Sequence, residues 1–384
     1  MRRSTLLFIH LLVVILSFTA CKQKVDNTSI LSEQIIDGSS SITYAKGLKI
    51  QYFEDYSVVD ITQPWAGSSK SYRYVLHKKG SDIPESLERE VRIAVPVDNI
   101  IVTSTTHIPS IQLLGEEQSL VGFPGLDYIS TPSVRELITE GKIVELGSNE
   151  NMNFEKVVDL SPSVVVAFAM DQNNKSLQAI ERTGIPVLYN GDWVEQTPLG
   201  KAEWIKLFGA LYDKREQAER MFTEIEQSYE ESLKLVKNVL NTPTVLSGAM
   251  YQDVWYMPQG DSWAAVYFSD AVSDYLWKET VGTGSLALSF ESVFSHAEQA
   301  DFWINPGAFE SLNEMKKANP HYANFKAFKE KRVYSFSLTK GASGGTVFYE
   351  LGPTRPDIVL KDLIAIFHPE LLPNYETVFY KQLQ

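Results

Sequence analysis

One serine of this chain lies in a pattern that can carry nucleophilic chemistry. The string Gly341-Ala342-Ser343-Gly344-Gly345 matches G-x-S-x-G, the turn that exposes the nucleophile of serine hydrolases, and His368 follows it together with Asp357 and Asp362. The turn must connect a strand to a helix. The residues after it resemble strand or loop, and only 41 residues follow Ser343. A hydrolase that uses Ser343 is therefore an alternative, and a flexible glycine-rich loop at the rim of a cleft fits the pattern better.

Histidines are the second group that could do chemistry, as metal ligands. A site for a bare ion needs His and carboxylate side chains that converge. No two histidines after residue 20 are three or four positions apart, although His107 could reach a binding site. A receptor for zinc or manganese ions stays open as an alternative. We expect no catalytic residue, no resident cofactor and no metal site of the protein's own. The histidines concerned are His77, His107, His296, His321 and His368.

The single cysteine, Cys21, closes an amino-terminal segment with the features of an export signal. Arg2 and Arg3 precede an apolar run from Leu6 to Phe18. The run is shorter than the ~20 apolar residues that span a bilayer, as in a secretory signal peptide. It ends in Phe18-Thr19-Ala20-Cys21, which is similar to a bacterial lipobox. The alternative is a short membrane anchor in which Cys21 has no role.

A lipobox implies that the mature protein starts at Cys21. We expect a signal peptide over residues 1–20, lipid on the Cys21 thiol, and a flexible tether over residues 21–45, which contain Lys, Gln and Asp together with repeated Ser. More than one acyl chain on Cys21 would anchor the protein stably. The predicted location is the periplasmic face of the cell membrane, as an exported bacterial lipoprotein.

Composition limits the classes of function. The chain has 384 residues and a formal net charge of −13, which argues against nucleic acid as a partner because such proteins carry a basic surface. One cysteine excludes an internal disulfide and a Cys-rich zinc site. Seven Trp, 18 Tyr and 19 Phe can stack on a large planar or apolar ligand.

The elements that must position these residues form two α/β regions. Alternating runs from residue 48 to residue 76 predict antiparallel strands. Apolar runs separated by helical segments then predict a mostly parallel sheet. The same alternation restarts at residue 244 and ends in a helix predicted from Pro356 to about Phe367.

A long helical segment separates these two regions. Apolar residues recur every three or four positions between residues 199 and 240, the period of a helix. Asp213 and Glu216 have the spacing of a capping box, which predicts a second helix from Lys214 to about Asn238. The predicted domains are an amino-terminal lobe over 46–197, a helical linker over 198–241 with the interdomain helix, and a carboxy-terminal lobe over 242–384.

A short sequence occurs once in each predicted lobe. Phe154-Glu155-Lys156-Val157 and Phe290-Glu291-Ser292-Val293 each follow a polar residue and precede a strand. A carboxylate in the first turn of a helix is favoured by the helix dipole, so both glutamates can simply support helix starts. Alternatively, they are a matched pair of charges presented to a basic partner.

These features together resemble class III periplasmic substrate-binding proteins, which deliver siderophore-bound iron, haem or cobalamin to ABC importers. The resemblance rests on the lipobox, the stretch Asn153–Val166, the long helix and the segment Gly352–Leu363. Ser163 stands where the family pattern has an acidic residue. The resemblance covers about residue 46 to the end. It implies two α/β lobes with mostly parallel sheets, joined by a single long helix, with a ligand cleft between the lobes.

The resemblance also implies partners and site residues. The protein would be a monomer that captures a metal–organic chelate and passes it to an ABC permease dimer with its ATPase; Glu155 and Glu291 match the family's permease-docking glutamates. Asn149 stands where cobalamin-binding relatives carry Trp. We expect an anionic group of the ligand to meet Arg355, unless a nearby Asp pairs with it. The other candidate ligand-binding residues are Phe123, Tyr128, Met170, Trp193, Tyr251, Trp255, Tyr256 and Trp263.

Overall fold

The computed structural model describes residues 42–384. The predicted signal peptide, Cys21 and the predicted tether up to residue 41 lie outside the described residues. Within the described part, no helix is both long enough and apolar enough to cross a bilayer.

The described chain begins with a four-stranded sheet. Its first three strands pair antiparallel in sequence order, and the fourth joins the third in parallel. Leu48 and Ile50 are buried while Lys49 between them is exposed, the pattern of a strand with one face on the core. This confirms the antiparallel strands predicted from the alternating sequence. The strands are β1 (Leu48–Tyr52), β2 (Tyr56–Ile61), β3 (Tyr72–Lys78) and β4 (Val91–Val95).

A five-stranded parallel sheet completes the amino-terminal lobe. Its strands are β5 (Ile100–Val102), β6 (Leu120–Phe123), β7 (Val144–Glu145), β8 (Val164–Ala167) and β9 (Val187–Tyr189), in the order β7-β6-β5-β8-β9. Every residue of β8 is buried, which explains its unbroken apolar run because helices cover both faces of such sheets. The helices between the strands are α1 (Ile108–Leu113), α2 (Pro132–Thr139), α3 (Phe154–Leu160) and α4 (Lys175–Glu181).

The linker consists of α5 (Pro198–Ala202), α6 (Ile205–Leu211) and the long helix α7 (Arg215–Val236). The 22 residues of α7 span about 33 Å at a rise of 1.5 Å per residue. Near its start, Ala218 belongs to the core of the first lobe. Near its end, Tyr229 and Val236 belong to the core of the second lobe. One helix therefore contributes to both cores, as predicted for an interdomain helix.

The predicted capping box at the start of α7 does not form. Asp213 has a left-handed backbone with φ of 54°, and Lys214 is the N-cap residue, without a side-chain capping bond. Helices α6 and α7 approach closely here, since a Cβ atom on Gly209 would lie 2.5 Å from the Cβ of Ala218. The tight turn that this packing requires overrides the capping preference of Asp213.

The carboxy-terminal lobe contains a second five-stranded sheet and a three-stranded antiparallel sheet. The strands are β10 (Thr244–Ser247), β11 (Ala249–Tyr251), β12 (Val254–Pro258), β13 (Asp274–Tyr275), β14 (Ser285–Leu288), β15 (Phe302–Ile304), β16 (Val333–Ser335) and β17 (Lys381–Gln382). The larger sheet has the order β13-β10-β15-β16-β17 and is parallel except for β17. The smaller sheet has the order β11-β12-β14. The helices are α8 (Trp263–Asp270), α9 (Phe290–Ala297), α10 (Leu312–Ala318), α11 (Lys326–Lys329), α12 (Val347–Leu351) and α13 (Pro356–Phe367). The predicted fold class, two α/β lobes with mostly parallel sheets joined by a long helix, is confirmed.

Two buried carboxylates fix the point where the chain enters the fold. Glu203 accepts the main-chain N–H groups of Thr43, Tyr44 and Ala45 at 2.8–3.1 Å. Glu195 does the same for Lys46 and the residue after it. These hydrogen bonds hold the end of the predicted tether beside the linker helices. Burial raises the pKa of the Glu195 carboxyl, and the N–H donors act in the opposite direction.

Candidate functional site

A cavity of about 570 Å³ lies between the lobes, at the carboxyl ends of the first parallel sheet. Thr103 and Phe123, at the ends of β5 and β6, form one wall, and Phe168 after β8 adds to it. The opposite wall is formed by Thr346 and Tyr349 from the second lobe. Ligands of parallel α/β sheets bind at this edge, outside the carboxyl ends of the strands. We refer to this cavity as the cleft.

Neutral polar groups line the cleft. The main-chain N–H of Phe168 donates to the Thr103 hydroxyl at 2.9 Å. Asn149 donates its amide N–H to the Phe168 carbonyl at 3.2 Å, while its buried Oδ1 has no hydrogen-bond partner among the described residues. Because buried polar atoms in folded proteins are nearly always paired, Asn149 offers a free acceptor to a molecule in the cleft.

The cleft has almost no charge of its own. Among the residues that line it, Glu150 is the charged one, and none is Lys or Arg. The Tyr349 phenol is neutral at pH 7, as tyrosines ordinarily are, and burial raises its pKa further. The lining therefore suits an uncharged or cationic ligand better than a strongly anionic one.

Two further cavities adjoin the cleft. One, also of about 570 Å³, shares Asn149 and Glu150 with it and contains Met170, whose exposed fraction is 69%. The other, of about 190 Å³, lies where Trp193 of the first lobe faces Trp263 of the second. Predicted residues of both lobes thus line the cleft or a cavity that shares lining residues with it.

A glutamate of the second lobe accepts hydrogen bonds from the first lobe beside the cleft. Glu350, in α12, is almost fully buried. It accepts the main-chain N–H groups of Ser130 at 2.5 Å and Thr131 at 3.0 Å, together with the Thr131 hydroxyl. Burial raises the pKa of the Glu350 carboxyl, although these donors act in the opposite direction. We refer to Glu350 and the loop Gly341–Gly345, described next, as the interlobe latch.

The glycine-rich loop is the other half of the latch. The Ser343 hydroxyl donates to the main-chain carbonyls of Asp127 at 2.7 Å and Ile129 at 3.3 Å, across the lobes. A Cβ atom on Gly345 would lie 2.6 Å from the Tyr128 carbonyl oxygen, and one on Gly341 would lie 2.5 Å from the Ser130 hydroxyl. The glycines are therefore needed for close approach.

The groups of the predicted hydrolase triad have other partners. His368 is buried with its Nε2 on the Ala271 carbonyl at 3.0 Å. Asp357 pairs with Arg355, and Asp362 accepts three main-chain N–H groups. With the Ser343 hydroxyl also engaged, the G-x-S-x-G string serves contact between lobes, and the hydrolase alternative does not hold.

Two candidate ligand-binding residues prove to be structural. Trp255 has no exposed surface, donates its Nε1–H to the Ser247 carbonyl and stacks 5.3 Å from the Trp303 ring. The prediction of Trp255 as a ligand-binding residue is wrong, because Trp255 lies within β12 and its side chain faces the core. Arg355 makes a bidentate ion pair with Asp357 at 2.8 and 2.9 Å, so the alternative of pairing with a nearby Asp is the one observed.

The other candidate aromatics separate into two groups. Phe123 and Tyr128 line the cleft, Phe123 mostly buried and Tyr128 with an exposed fraction of 68%. Tyr251 and Tyr256 are exposed on β11 and β12, and neither lines the cleft or the two adjoining cavities. The sequence alone did not distinguish the tyrosine that lines the cleft from the two on the antiparallel sheet.

Asn149, Phe168 and Tyr349 are among the lining residues of the cleft that are absent from the predicted ligand-binding set. Asn149 stood out in the sequence only as a departure from relatives. Phe168 ends the buried run of β8, at the edge where ligands bind. Tyr349 lies shortly after the glycine-rich loop that the sequence predicts at the cleft rim, and this position was the available signal for it.

His107, the one histidine expected to reach the site, is a core residue. It is fully buried, its ring lies 5.8 Å from the Phe208 ring, and burial lowers its pKa. Within residues 42–384, no three His, Cys, Asp or Glu side chains come together as a metal site.

The two matched glutamates occupy equivalent, exposed positions. Glu155 is in the first turn of α3, where Asn153 accepts the Lys156 N–H as N-cap, and Glu291 is in the first turn of α9, capped in the same way by Ser289. Helix α3 precedes β8, which pairs with β5; α9 precedes β15, which pairs with β10. The predicted helix starts are confirmed, while permease docking stays a prediction.

Comparison with known proteins assigns this architecture to a family. The family model described as periplasmic binding protein matches residues 100–337. The chain belongs to the periplasmic binding protein family. This confirms the resemblance at the level of the periplasmic binding protein family, and solved structures of periplasmic solute-binding proteins share the fold.

Individual proteins that are similar to this periplasmic binding protein agree with the family assignment. It is 27% identical to an uncharacterised lipoprotein of Methanocaldococcus jannaschii, covering 88% of this chain and 84% of that protein. It is 26% identical to the iron-uptake system-binding protein of Bacillus subtilis, covering 69% of this chain and 82% of that protein. The crystal structure of a periplasmic haem-binding protein from Vibrio cholerae superposes with a TM-score of 0.54 at 17% identity, over 68% of this chain and 99% of that one.

Proposed function

We propose that this periplasmic binding protein captures an iron–siderophore, haem or cobalamin-type chelate in its cleft and delivers it to an ABC permease. The observation that carries the proposal is the cleft itself, where Phe123, Tyr128 and Tyr349 from both lobes surround a volume of about 570 Å³ beside the free acceptor of Asn149. Aromatic walls with a few neutral polar groups suit an organic ligand that already holds its metal.

The charge of the cleft narrows the chelate class. Glu150 is its charged residue, and no Lys or Arg lines it. An anionic chelate would lose its hydration without gaining a cationic partner. We therefore expect an uncharged or cationic chelate to bind more tightly than a polyanionic one.

The second candidate is a receptor for bare zinc or manganese ions. It is less well supported because two of the three histidines of the second lobe are used elsewhere: His296 lies on the Leu276 carbonyl at 3.1 Å and His368 on that of Ala271. His107, the candidate ligand, is enclosed beside Phe208.

Titration of the protein with matched ligands tests the proposal. Tryptophan fluorescence and calorimetry would be followed during addition of cyanocobalamin, ferrioxamine B, haemin, ferric enterobactin and zinc chloride. We expect micromolar or tighter binding of at least one chelate, with the first two ahead of the anionic haemin and ferric enterobactin. Binding of zinc chloride alone would overturn the proposal in favour of an ion receptor.

The membrane anchor is a further part of the proposal. We expect lipid on Cys21, with the tether reaching the fold at Thr43, where Glu203 holds the main chain. Metabolic labelling with a palmitate analogue should mark the wild-type protein but not Cys21→Ser. Labelling of both would contradict lipidation at this cysteine.

A further inference from the structure

The smaller interlobe cavity, of about 190 Å³, has the features of a second binding site. Asp192 and Trp193 of the first lobe and Lys201 of linker helix α5 line it, and Trp263 of the second lobe also lines it. Tyr349 lines both this cavity and the cleft. A molecule held in the cleft can therefore extend a side arm into the cavity.

Two adjacent residues that line this cavity each carry a buried polar atom with no hydrogen-bond partner among the described residues. Asp192 is only 6% exposed, and its Oδ1 accepts no hydrogen bond from the described residues. The buried Nε1–H of Trp193 likewise has no acceptor there. Because both groups lose hydration on burial, each is destabilising until a ligand or water pairs with it. Together they offer one acceptor and one donor.

Lys201 supplies a further donor. Its Nζ donates to the main-chain carbonyls of Asp192 at 3.2 Å and Trp193 at 2.9 Å. An ammonium group has three N–H bonds, so one remains for a guest. Burial lowers the pKa of Lys201 to about 8, which leaves it mostly protonated at neutral pH. Its positive charge and the Asp192 carboxylate offset each other, so the cavity is close to neutral.

The remaining walls are flat and apolar. The Trp263 ring lies edge-on to Tyr267, with centroids 6.1 Å apart, and stacks at the same distance on Phe348. Aromatic side chains bind flat apolar groups by stacking and edge contacts. A guest would therefore combine an apolar body with a small polar end.

We propose that this cavity binds an uncharged primary carboxamide carried on a flat apolar group. The amide carbonyl would accept from Trp193 Nε1 and Lys201 Nζ, and its N–H would donate to Asp192 Oδ1. A carboxylate would face Asp192, and an ammonium would face Lys201, so each leaves one group of the cavity mismatched. That the amide is a side arm of the chelate in the cleft rests on the proposed function; the amide site itself does not.

Three probes of the same shape test the site. Benzamide, benzoate and benzylammonium share a phenyl ring and differ in the polar end. Ligand-observed NMR of the full chain at pH 7 should give a dissociation constant of about 1 mM for benzamide, as ligands of this size allow, and values at least tenfold weaker for the two ions. Benzoate or benzylammonium binding as tightly as benzamide, or no benzamide binding at 50 mM, would overturn the proposal.

Conservative variants locate the site. Trp193→Phe keeps the ring and removes the donor, and it should weaken benzamide binding about 3–10-fold. Trp65→Phe, a buried tryptophan outside the cavity lining, is the matched control and should leave benzamide affinity within twofold. An unchanged affinity in Trp193→Phe would contradict the assigned hydrogen bond.

The experiments distinguish failure of the amide-site proposal from failure of the proposed chelate-binding function. If a chelate binds and benzamide does not, the amide site is wrong and the proposed function stands. If benzamide binds and none of the chelates does, the amide site stands and the proposed function is wrong.

Discussion

The Glu350 carboxylate of the carboxy-terminal lobe accepts the main-chain N–H of Thr131 of the amino-terminal lobe at 3.0 Å. The two residues are 219 positions apart in the chain. This bond, with those to Ser130 and from Ser343, connects the lobes beside the cleft, in addition to the connection made by α7. Helix α7 and the interlobe latch therefore both restrain the angle between the lobes. We expect ligand binding to change this angle modestly rather than through a wide hinge motion.

Replacing the latch glutamate should destabilise the protein. In Glu350→Gln, one carboxylate oxygen becomes an amide nitrogen that faces a main-chain N–H, leaving a buried donor unpaired. We expect a loss of about 1–3 kcal/mol in the free energy of unfolding, measured by urea denaturation. The control is Glu310→Gln, whose exposed ion pair with Lys340 should contribute nothing measurable. Equal stability of the two variants would show that the latch is not stabilising.

The latch glycines should tolerate no side chain. In Gly345→Ala, the added Cβ would lie 2.6 Å from the Tyr128 carbonyl oxygen, so the loop must move away from the first lobe. Overpacking of this kind costs about 1–3 kcal/mol, and X-ray scattering should detect a larger radius of gyration. Gly284→Ala, whose nearest contact would be 3.4 Å, should behave as wild type. A compact, fully stable Gly345→Ala protein would refute the close approach.

Cleft residues should control affinity for the chelate. We expect Tyr128→Ala to weaken binding roughly 3–10-fold through lost stacking, and Asn149→Leu to do the same through a lost acceptor. Tyr251→Ala removes an equally exposed tyrosine outside the cleft and should bind as wild type. Calorimetry with whichever chelate binds gives the comparison, and a stronger effect of Tyr251→Ala would move the site to the antiparallel sheet.

The paired glutamates should matter for transport and not for binding. Glu155→Arg or Glu291→Arg reverses an exposed charge that we expect to meet a basic surface of the permease. Chelate affinity should be unchanged while uptake into cells or transporter-containing vesicles falls at least tenfold. Glu136→Arg, also at an exposed position, is the matched control. Loss of chelate binding in either variant would contradict a docking role.

The buried lysine should make stability depend on pH in the alkaline range. Burial lowers the pKa of Lys201 from 10.5 to about 8, so the folded protein binds fewer protons than the unfolded chain between these values. Wild-type stability should therefore rise, relative to Lys201→Met, as pH increases from 8 to 10.5, by up to about 3 kcal/mol. Chemical denaturation of both proteins at several pH values measures the difference. A constant difference would mean that Lys201 keeps an ordinary pKa.

Local features of the sequence predicted local structure well. The helices that start at Phe154 and Phe290 have the expected caps, since Asn153 and Ser289 accept main-chain N–H groups three residues on. The helix from Pro356 to Phe367 also matches its prediction. The capping box predicted at Asp213 is wrong, because the close contact between Gly209 and Ala218 determines the turn before α7.

The sequence by itself determined the alternation of strands and helices, the long helix between two α/β regions and the matched glutamates. These follow from periodicity and capping, which depend on neighbours within a few positions. Only the tertiary structure decided that Trp255 belongs to the core, that Ser343 bonds across the lobes, and that Asn149 and Tyr349 line one cleft. The reason is physical: each of these depends on contacts between segments far apart in the chain, and such contacts exist only once both lobes have packed against α7.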